Sequence, residues 1–564
     1  MRIAIPVLVI FFTAIFGFSC SGLHVETQYD TGMVTSSSPI ASEIGCQVLK
    51  GGGNAFDAAV AVGFALAVCH PQAGNIGGGG FGLVYSANDG TVTALDFRET
   101  APGAATADMY LDADGEVVNN ASLLGARAAG VPGTVAGLYE LWRQYGSGDW
   151  YDLIKPAIDL ADTGFVVSEH LAGMMAGYKE ELAVFPETRA IFMPGGVLPE
   201  AGRKLSQSDL ALTLERIGLD STDGFYRGQT ADLIVTAMEA HGGLITHDDL
   251  DGYRPVWRQP VTFTFDSLTV YSMPPPSSGG VMIGHILKLL EPYDFYAYSP
   301  DHPEYMHLFV EACRLAYADR AVHLGDPAFV NNPVSMLLDS TYIDSRRKLI
   351  DRDRSGVSTE IGSGIPNRYH ESESTTHFCV ADSAGNVVSI TYTINTAFGS
   401  KLVVDGGGFL LNNEMDDFSI KPGVANIYGL IGGTANAIAP GKRMLSSMSP
   451  TIVMKNDRPV LALGSPGGSK IITTVTQAIL GFARFRLSVG EIVALPRFHH
   501  QWMPDTLYIE QGGFDISVVQ NLIGRGHLIK ERSRYSDLQI IHITDEHLLI
   551  GASDPRGGGA VKAY

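Results

Sequence analysis

The feature that most limits what this chain can fold into is a hairpin that starts without a lead-in. Residues 373–400 read ESTTHFCVADSAGNVVSITYTINTAFGS. Thr376 to Asp382 and Val387 to Asn395 are rich in β-branched and aromatic residues, and Ser-Ala-Gly-Asn between them is turn chemistry. The twenty residues before Thr375, SGVSTEIGSGIPNRYHESES, are polar and Gly/Ser-rich, with no hydrophobic period. A structureless run of that length inside a compact chain is either functional or a place where the backbone is cut. The hairpin therefore emerges from loop directly at two threonines.

The two sides of that junction differ in texture. Upstream, SEIGCQVLKGGGNAFDAAVAVGFALAVCH reads as two helices separated by a glycine break, the second running from Asn54 to Val68. VVSEHLAGMMAGY and EYMHLFVEACRLAYADRA read as amphipathic helices, and DSLTVYSMPPPSSGG as a strand ended by prolines. Downstream, GGGFLLNN, SPTIVMKNDRPVLALGSPGG, LYIE and QIIHITDEHLLIGASDP read as strands, with one helix, IITTVTQAILGFARF, among them. The front is helix-rich and the back strand-rich. No internal repeat is evident.

At 564 residues the chain is long enough for a large core, and 18% charged against 45% hydrophobic residues describes a globular protein. A net charge of −21 and the lack of a long basic run exclude nucleic acid as a partner, because phosphate contacts need clustered Lys and Arg. Arg2 is followed by IAIPVLVIFFTAIFGF, too short to span a bilayer, and then by the small residues SCSG. This predicts an export signal over residues 1–19. Cys20 stands where a lipoprotein would be lipidated, and plain secretion fits equally well, so the expected location is periplasmic or envelope-attached. Cys46, Cys69, Cys313 and Cys379 have no zinc or disulfide spacing and are expected to be buried free thiols.

Common site motifs fail on inspection. GNIGGGGFG has the spacing of a dinucleotide loop but follows a helix, and GSPGGSK lacks the Walker spacing. No nucleophile elbow occurs, and Ser446 and Ser447 have no Lys three residues on. ITHDDLDGY lacks the alternating ligands of a calcium loop, and His247 and its neighbours are expected to cap a helix. His499 and His500 have no metalloprotease context and are expected to be satisfied core or surface residues. Neither metal nor cofactor is implied.

The threonines carry chemistry of their own. With a turn at Ser383–Asn386, Asp382 faces Val387 and Thr375 lies near Ile394, its diagonal neighbours being Thr393 and Asn395 on one face. A threonine hydroxyl is a poor nucleophile without an adjacent base. If the Ser374–Thr375 bond opens, Thr375 gains an α-amine with a pKa near ~7.7–8.0, a general base within the nucleophilic residue itself.

TTHFCVADSAGNVVSITYTINTAFGS, together with LLNNEMDDFS, LSSMSPTIV and GSPGG, closely resembles the γ-glutamyltransferase (γ-glutamyltranspeptidase) family. GGNAFDAAVAVGFALAVCHPQAGNIGGGGFGLVY, LDFRETAP, GVPGTVAG, GGLITHDDL and YSMPPPSSGG extend the resemblance upstream, from about Val34 to the C-terminal SDPRGGG. It implies an α+β fold, the four-layer αββα sandwich of N-terminal-nucleophile hydrolases, autoprocessed from one precursor. The implied pieces are a large subunit, residues 20–374, and a small subunit, residues 375–564, which stay together as a heterodimer.

The resemblance also implies roles. Thr375 is the nucleophile for self-cleavage after Ser374 and for turnover, and Thr393 is the threonine beside its amine. Gly467 and Gly468 match the oxyanion hole, where only glycine brings a backbone so close to a reacting carbonyl. Arg98 holds the substrate α-carboxylate with help from Ser446 and Ser447, and Asn395, Glu414 and Asp417 receive the α-ammonium. Tyr428, in GVANIYGLIGGTANA, matches a lid residue that closes by bonding Asn395; a lid disfavours long polymeric donors. Met444 replaces a common proline, a tolerated change. The implied substrates are glutathione and other γ-glutamyl compounds, with water, amino acids or short peptides as acceptors. The rival readings are a glutaryl- or cephalosporin-type acylase, which needs no ammonium acceptors, and a non-catalytic envelope binding protein, which needs no nucleophile.

Overall fold

The computed structural model describes residues 26–362, 375–421, 423–424, 426–427 and 429–564. The N-terminal apolar stretch with Cys20, Ser374 of the expected cleavage site and Tyr428 of the expected lid lie outside the described residues.

The hairpin is the centre of the molecule. Thr375–Ala381 and Val387–Thr393 pair antiparallel in the middle of a seven-stranded sheet. Its spatial order is Ala560–Ala563, Met33–Ser36, Thr375–Ala381, Val387–Thr393, Gly79–Ser86, Thr91–Phe97 and Val256–Arg258, all neighbours antiparallel. Both flanking strands of the hairpin, Met33–Ser36 and Gly79–Ser86, come from the front of the chain. A second seven-stranded antiparallel sheet runs Thr27–Tyr29, Leu549–Ser553, Gln539–Ile543, Arg458–Gly464, Thr451–Lys455, Leu268–Ser272, Val261–Phe265. It too mixes strands from either side of residue 375.

Side-chain alternation explains the layering. Phe378 and Val380 point to one face of the first sheet, where they pack with Val388, Ile390 and the helices Pro39–Lys50 and Ala55–Cys69. Cys379 and Ala381 point to the other face, against Leu461, Leu463 and Ile540 of the second sheet. That sheet is covered in turn by the helices Gly279–Leu290, Pro303–His323 and Lys470–Ala483. The result is helix, sheet, sheet, helix: the four-layer αββα arrangement, with two hydrophobic cores on either side of the hairpin. The Ala-rich helix Ala55–Cys69 is buried on every face, and Gly63 shows why its residues are small, since a Cβ there would sit 2.9 Å from Leu138.

The structure corrects several sequence expectations. The turn has three residues, not four. Asp382 N–H donates to the Asn386 carbonyl, Gly385 takes φ +87°, and Thr375 lies opposite Thr393 rather than Ile394. The Asp382 carboxylate closes the shorter turn by accepting from the N–H of Ala384 (3.0 Å) and Asn386 (2.9 Å). GGGFLLNN is no strand: Gly406 and Gly408 turn with positive φ, and only a bridge between Val403 and Leu410 forms. The helix Pro303–His323 has no solvent face along most of its length; Tyr305 through Arg320 are all buried, polar residues included. Beyond residue 375 the described residues form two further α-helices, Val489–Ala494 and Ile516–Gly524. As expected for the neighbours of His247, Thr246 caps the helix His247–Gly252 in a capping box with Asp249; His247 itself is the first helical residue. Cys46, Cys69, Cys313 and Cys379 are free and buried.

Asp382 also joins hairpin to helix layer, because its second oxygen accepts from Ala55 N–H and Asn386 Nδ2, both at 2.8 Å. Four charge-assisted bonds end on this one buried side chain. Asp382→Ala is expected to destabilise the protein by about 2–4 kcal/mol, read as a lower midpoint in denaturant unfolding with an unchanged slope.

Candidate active site

Thr375 opens its strand beside Thr393 at the mouth of a cleft, and both line it. The strand Met33–Ser36 pairs with its neighbour only from Phe378 to Ala381, so the first residues of the Thr375 strand are paired on one edge. After Thr393 the chain turns sharply at Asn395 (φ +73°), a residue type that tolerates the left-handed region. Asn395 N–H donates to Thr393 Oγ1 at 2.8 Å and its Nδ2 to the Asn413 carbonyl at 2.9 Å. This locks the side chains of Thr393 and Asn395 next to Thr375.

The opposite wall is ionic. Arg98, wholly buried at the end of the strand Thr91–Phe97, donates Nη1 to Glu414 and Nη2 to Asp417 Oδ2 (2.5 Å). Glu99 lies 3.7 Å away. Glu414 and Asp417 belong to a short 3-10 helix whose entry is pinned by Asn412 Oδ1 accepting from Glu414 N–H (3.0 Å). Burial works against the Arg98 charge, but Glu414, Asp417 and Glu99 outweigh it and hold its pKa above the ordinary value. Burial pushes Glu414 well above the carboxylate range, Asp417 upward and Glu99 up to about 7, each against the pull of Arg98. Three carboxylates face the Arg98 guanidinium, and Glu414 Oε2 has no hydrogen-bond partner among the described residues. Arg320 lines the same cleft and also pulls the Asp417 pKa down.

Ser446 and Ser447 complete the rim. Met448 N–H donates to Ser446 Oγ at 3.0 Å, and Arg320 Nη2 to Ser447 Oγ at 3.2 Å. Both hydroxyl oxygens are used as acceptors, which leaves each O–H to donate into the cleft. Gly467 (φ +134°) and Gly468 (φ +54°) form a turn that side chains disfavour, and their N–H groups donate to no described residue. Gly468 lines the cleft, and the helix Lys470–Ala483 starts two residues on. The turn is braced from behind: Tyr317 OH donates to the Ser469 carbonyl, and Ser469 Oγ to Gln501 Oε1 at 2.6 Å. The structure thus brings together Thr375, Thr393, Asn395, Arg98, Glu414, Asp417, Ser446, Ser447 and Gly468 as cleft lining, with Gly467 adjacent. The segment that holds Tyr428 is tethered to the same wall, with Ile427 N–H on Asp416 (2.9 Å) and Asn426 Nδ2 on Asp417 (3.1 Å).

Sequence reasoning missed Arg320, Glu99 and Tyr317. Glu99 was visible beside Arg98 in DFRE. Tyr317 and Arg320 stand three apart on one helix face, a spacing that only the burial of that face turns into a signal. His499 and His500 are buried core residues, His499 held by Thr473 and Gln501. Among the described residues one group has metal-ligand types together, His307, Glu311 and His527. It is an internally satisfied network: His307 Nε2 donates to the Asp351 carbonyl, so its Nδ1 accepts from His527 Nε2 at 2.7 Å. Arg314 occupies Glu311.

The family model described as Gamma-glutamyltranspeptidase matches residues 41–564. The chain is 46% identical over 526 residues to a glutathione hydrolase proenzyme of Escherichia coli (strain K12), covering 93% of this chain and 90% of that protein. It is 49% identical to a glutathione hydrolase proenzyme of Pseudomonas sp. (strain A14), over 85% of this chain and 83% of that one. Among solved structures, a cephalosporin acylase from Bacillus halodurans superposes with a TM-score of 0.86 at 28% identity, covering 98% of this chain and 99% of that one.

The raised Glu99 has a consequence for stability. In the unfolded chain it loses its proton near ~4.3, in the native wall only near 7, so the native state binds more protons in between. Stability contributed at low pH is lost as pH rises through that window. Between pH 5 and 7.5 the wild type is expected to lose on the order of 2–3 kcal/mol more than Glu99→Gln in denaturant unfolding. Parallel curves would place an ionised Glu99 in the wall already at pH 5.

Proposed function

The chain belongs to the γ-glutamyltranspeptidase family and is a self-processing γ-glutamyltransferase and glutathione hydrolase; from that premise we propose which residues carry each step. The observation that carries the assignment is the position of Thr375, first residue of a central strand, facing the buried Arg98–Glu414–Asp417 wall across one cleft.

Processing comes first. Thr375 Oγ attacks the Ser374 carbonyl, the amide becomes an ester, and water hydrolyses it to a Ser374 carboxylate and a free Thr375 α-amine. Residues 20–374 and 375–564 then form the large and small subunits. They stay joined because the hairpin remains paired to Met33–Ser36 and Gly79–Ser86. In turnover, Arg98, Ser446 and Ser447 take the donor α-carboxylate, and Asn395, Glu414 and Asp417 its α-ammonium. Clamped at that end, a γ-glutamyl group projects its γ-carbonyl toward Thr375. The α-amine of Thr375, beside Thr393, takes the hydroxyl proton as Oγ attacks. The N–H groups of Gly467 and Gly468 stabilise the oxyanion, worth about 3–4 kcal/mol per donor in comparable sites. The amine or thiol-peptide portion leaves with the proton, and a γ-glutamyl ester remains on Thr375. Water releases glutamate; an amino acid or short peptide takes the group as a new γ-glutamyl product.

The ammonium acceptors favour γ-glutamyl donors over the glutaryl chemistry of an acylase, since glutaryl groups carry no α-ammonium to offset Glu414 and Asp417. The segment 423–437, with Tyr428, serves as a lid that limits donor size. The apolar N-terminal stretch supports export to the periplasm or envelope through residues 1–19, with Cys20 as the point of attachment where lipidation occurs.

Purified wild-type protein is expected to run as two fragments, the smaller one beginning at Thr375 by N-terminal sequencing. Thr375→Ala should remain a single chain and release no dye from a γ-glutamyl anilide. Glycylglycine added to the wild-type assay should raise dye release if transfer competes with hydrolysis. An uncut wild type with full activity on glutathione would overturn the mechanism.

A further inference from the structure

Arg320 lies in the buried helix Pro303–His323 and lines the same cleft as Thr375. Its Nε donates to Ser278 Oγ at 2.8 Å and its Nη2 to Ser447 Oγ at 3.2 Å. Ser278 passes the contact on: its Oγ donates to the Ser446 carbonyl at 2.7 Å, and its N–H to the same carbonyl at 2.8 Å. Ser446 N–H is fixed in turn on the Pro276 carbonyl at 2.8 Å. No carboxylate among the described residues lies within ion-pairing distance of Arg320, unlike Arg98, which already holds two.

A buried guanidinium with no carboxylate in direct contact, and Asp417 acting on it only from a distance, is costly, and the fold keeps it where the proposed substrate carboxylate binds. We propose that Arg320 is the positioning and specificity residue of the carboxylate pole: it braces Ser447 directly and Ser446 through Ser278, so that both hydroxyls donate to the α-carboxylate, and it supplies the positive charge that Arg98 shares with Glu414 and Asp417. This rests on the reading of the cleft as a glutamyl clamp. Each serine has one hydroxyl proton. Because Arg320 and the Met448 N–H donate to their oxygens, neither proton can be spent on those partners, and both are left for an anion. Burial pulls Arg320 down to about 10, so it stays charged at neutral pH. A ligand with an α-carboxylate gains from this pole; a simple amine or an α-amide does not.

The experiment compares wild type, Arg320→Lys, Ser278→Ala, Ser447→Ala, Arg320→Met and the Arg320→Met/Ser447→Ala double variant, each first checked for the two processed fragments. Kinetics use γ-glutamyl-p-nitroanilide, with L-glutamate as competitive inhibitor. Arg320→Met should raise KM and the glutamate Ki together by about 10- to 100-fold with kcat changed less than about 3-fold. Arg320→Lys, which keeps the charge but cannot fork between two serines, should raise KM by about 3- to 10-fold. Ser278→Ala should do likewise. The double variant should be little worse than Arg320→Met alone, because one interaction is being removed twice. Unchanged KM in Arg320→Lys and Ser278→Ala overturns the proposal, as does an effect confined to kcat or independent, multiplying penalties. If Arg320→Met fails to process, those two conservative variants decide it alone. A wild type with no activity on the anilide and no inhibition by glutamate would instead refute the glutamyl reading beneath it.

Discussion

A strand held on both edges for most of its length, and on one edge where it begins, governs the rest of this molecule. Phe378 to Ala381 are paired to Met33–Ser36 on one side and to Val387–Ile390 on the other, while Thr375 to His377 are paired only to Tyr392, Thr393 and Thr391. Ladder hydrogen bonds on both sides fix the later residues in register and leave the first ones no freedom to drift. Yet no strand among the described residues covers their second edge, so groups from elsewhere in the chain can approach Thr375. Rigidity and access meet at one residue. The two cores on either face, with Phe378 and Val380 in one and Cys379 and Ala381 in the other, make that placement resistant to a cut in the backbone just upstream.

The ionic wall opposite has a different logic. Three carboxylates and one arginine buried together are a poor way to stabilise a fold, because desolvation offsets most of their attraction. Burial is also the main reason the carboxylate pKa values are raised, against the pull of Arg98. In the proposed reading an arriving ammonium offsets that cost, and an arriving carboxylate meets serines that are already oriented. On that reading the wall is complementary to a zwitterion, not to an anion or a cation alone. It is assembled from distant parts of the chain: Arg98 from a strand end, Glu414 and Asp417 from a 3-10 turn, Ser446 and Ser447 from a loop ahead of the strand Thr451–Lys455.

Much of this was legible in the sequence because the site residues sit in compact motifs whose chemistry is local. The hairpin was recognisable from composition, and Thr375, Thr393 and Asn395 were placed together even though the register was off by one. The error came from the turn: four turn-forming residues in a row do not reveal that Asp382 will fold back onto two of their amides and shorten the loop. GGGFLLNN looked like a strand because its apolar residues are real core residues, but Gly406 and Gly408 make them part of a turn. Arg320 was invisible for a more general reason. Within EYMHLFVEACRLAYADRA its charge looks like the solvent side of an amphipathic helix, and only tertiary packing shows that the helix has no such side along Tyr305–Arg320.

Fold alone would not have decided the chemistry. The likeness to a cephalosporin acylase, close in backbone over nearly the whole chain at 28% identity, shows that this sandwich also occurs in an enzyme named for a different acyl donor. An amino-terminal nucleophile and a pair of glycine amides serve any acyl group, because they touch only the carbonyl that reacts. On the proposed reading, selection between donors comes from groups that meet the remote end, where Glu414 and Asp417 take the positive charge and Ser446 and Ser447 the negative one. Binding energy gathered there has its effect at Thr375 by fixing the distance to the γ-carbonyl, since an acyl chain of three carbons between the two poles and the reacting atom has few ways to fit.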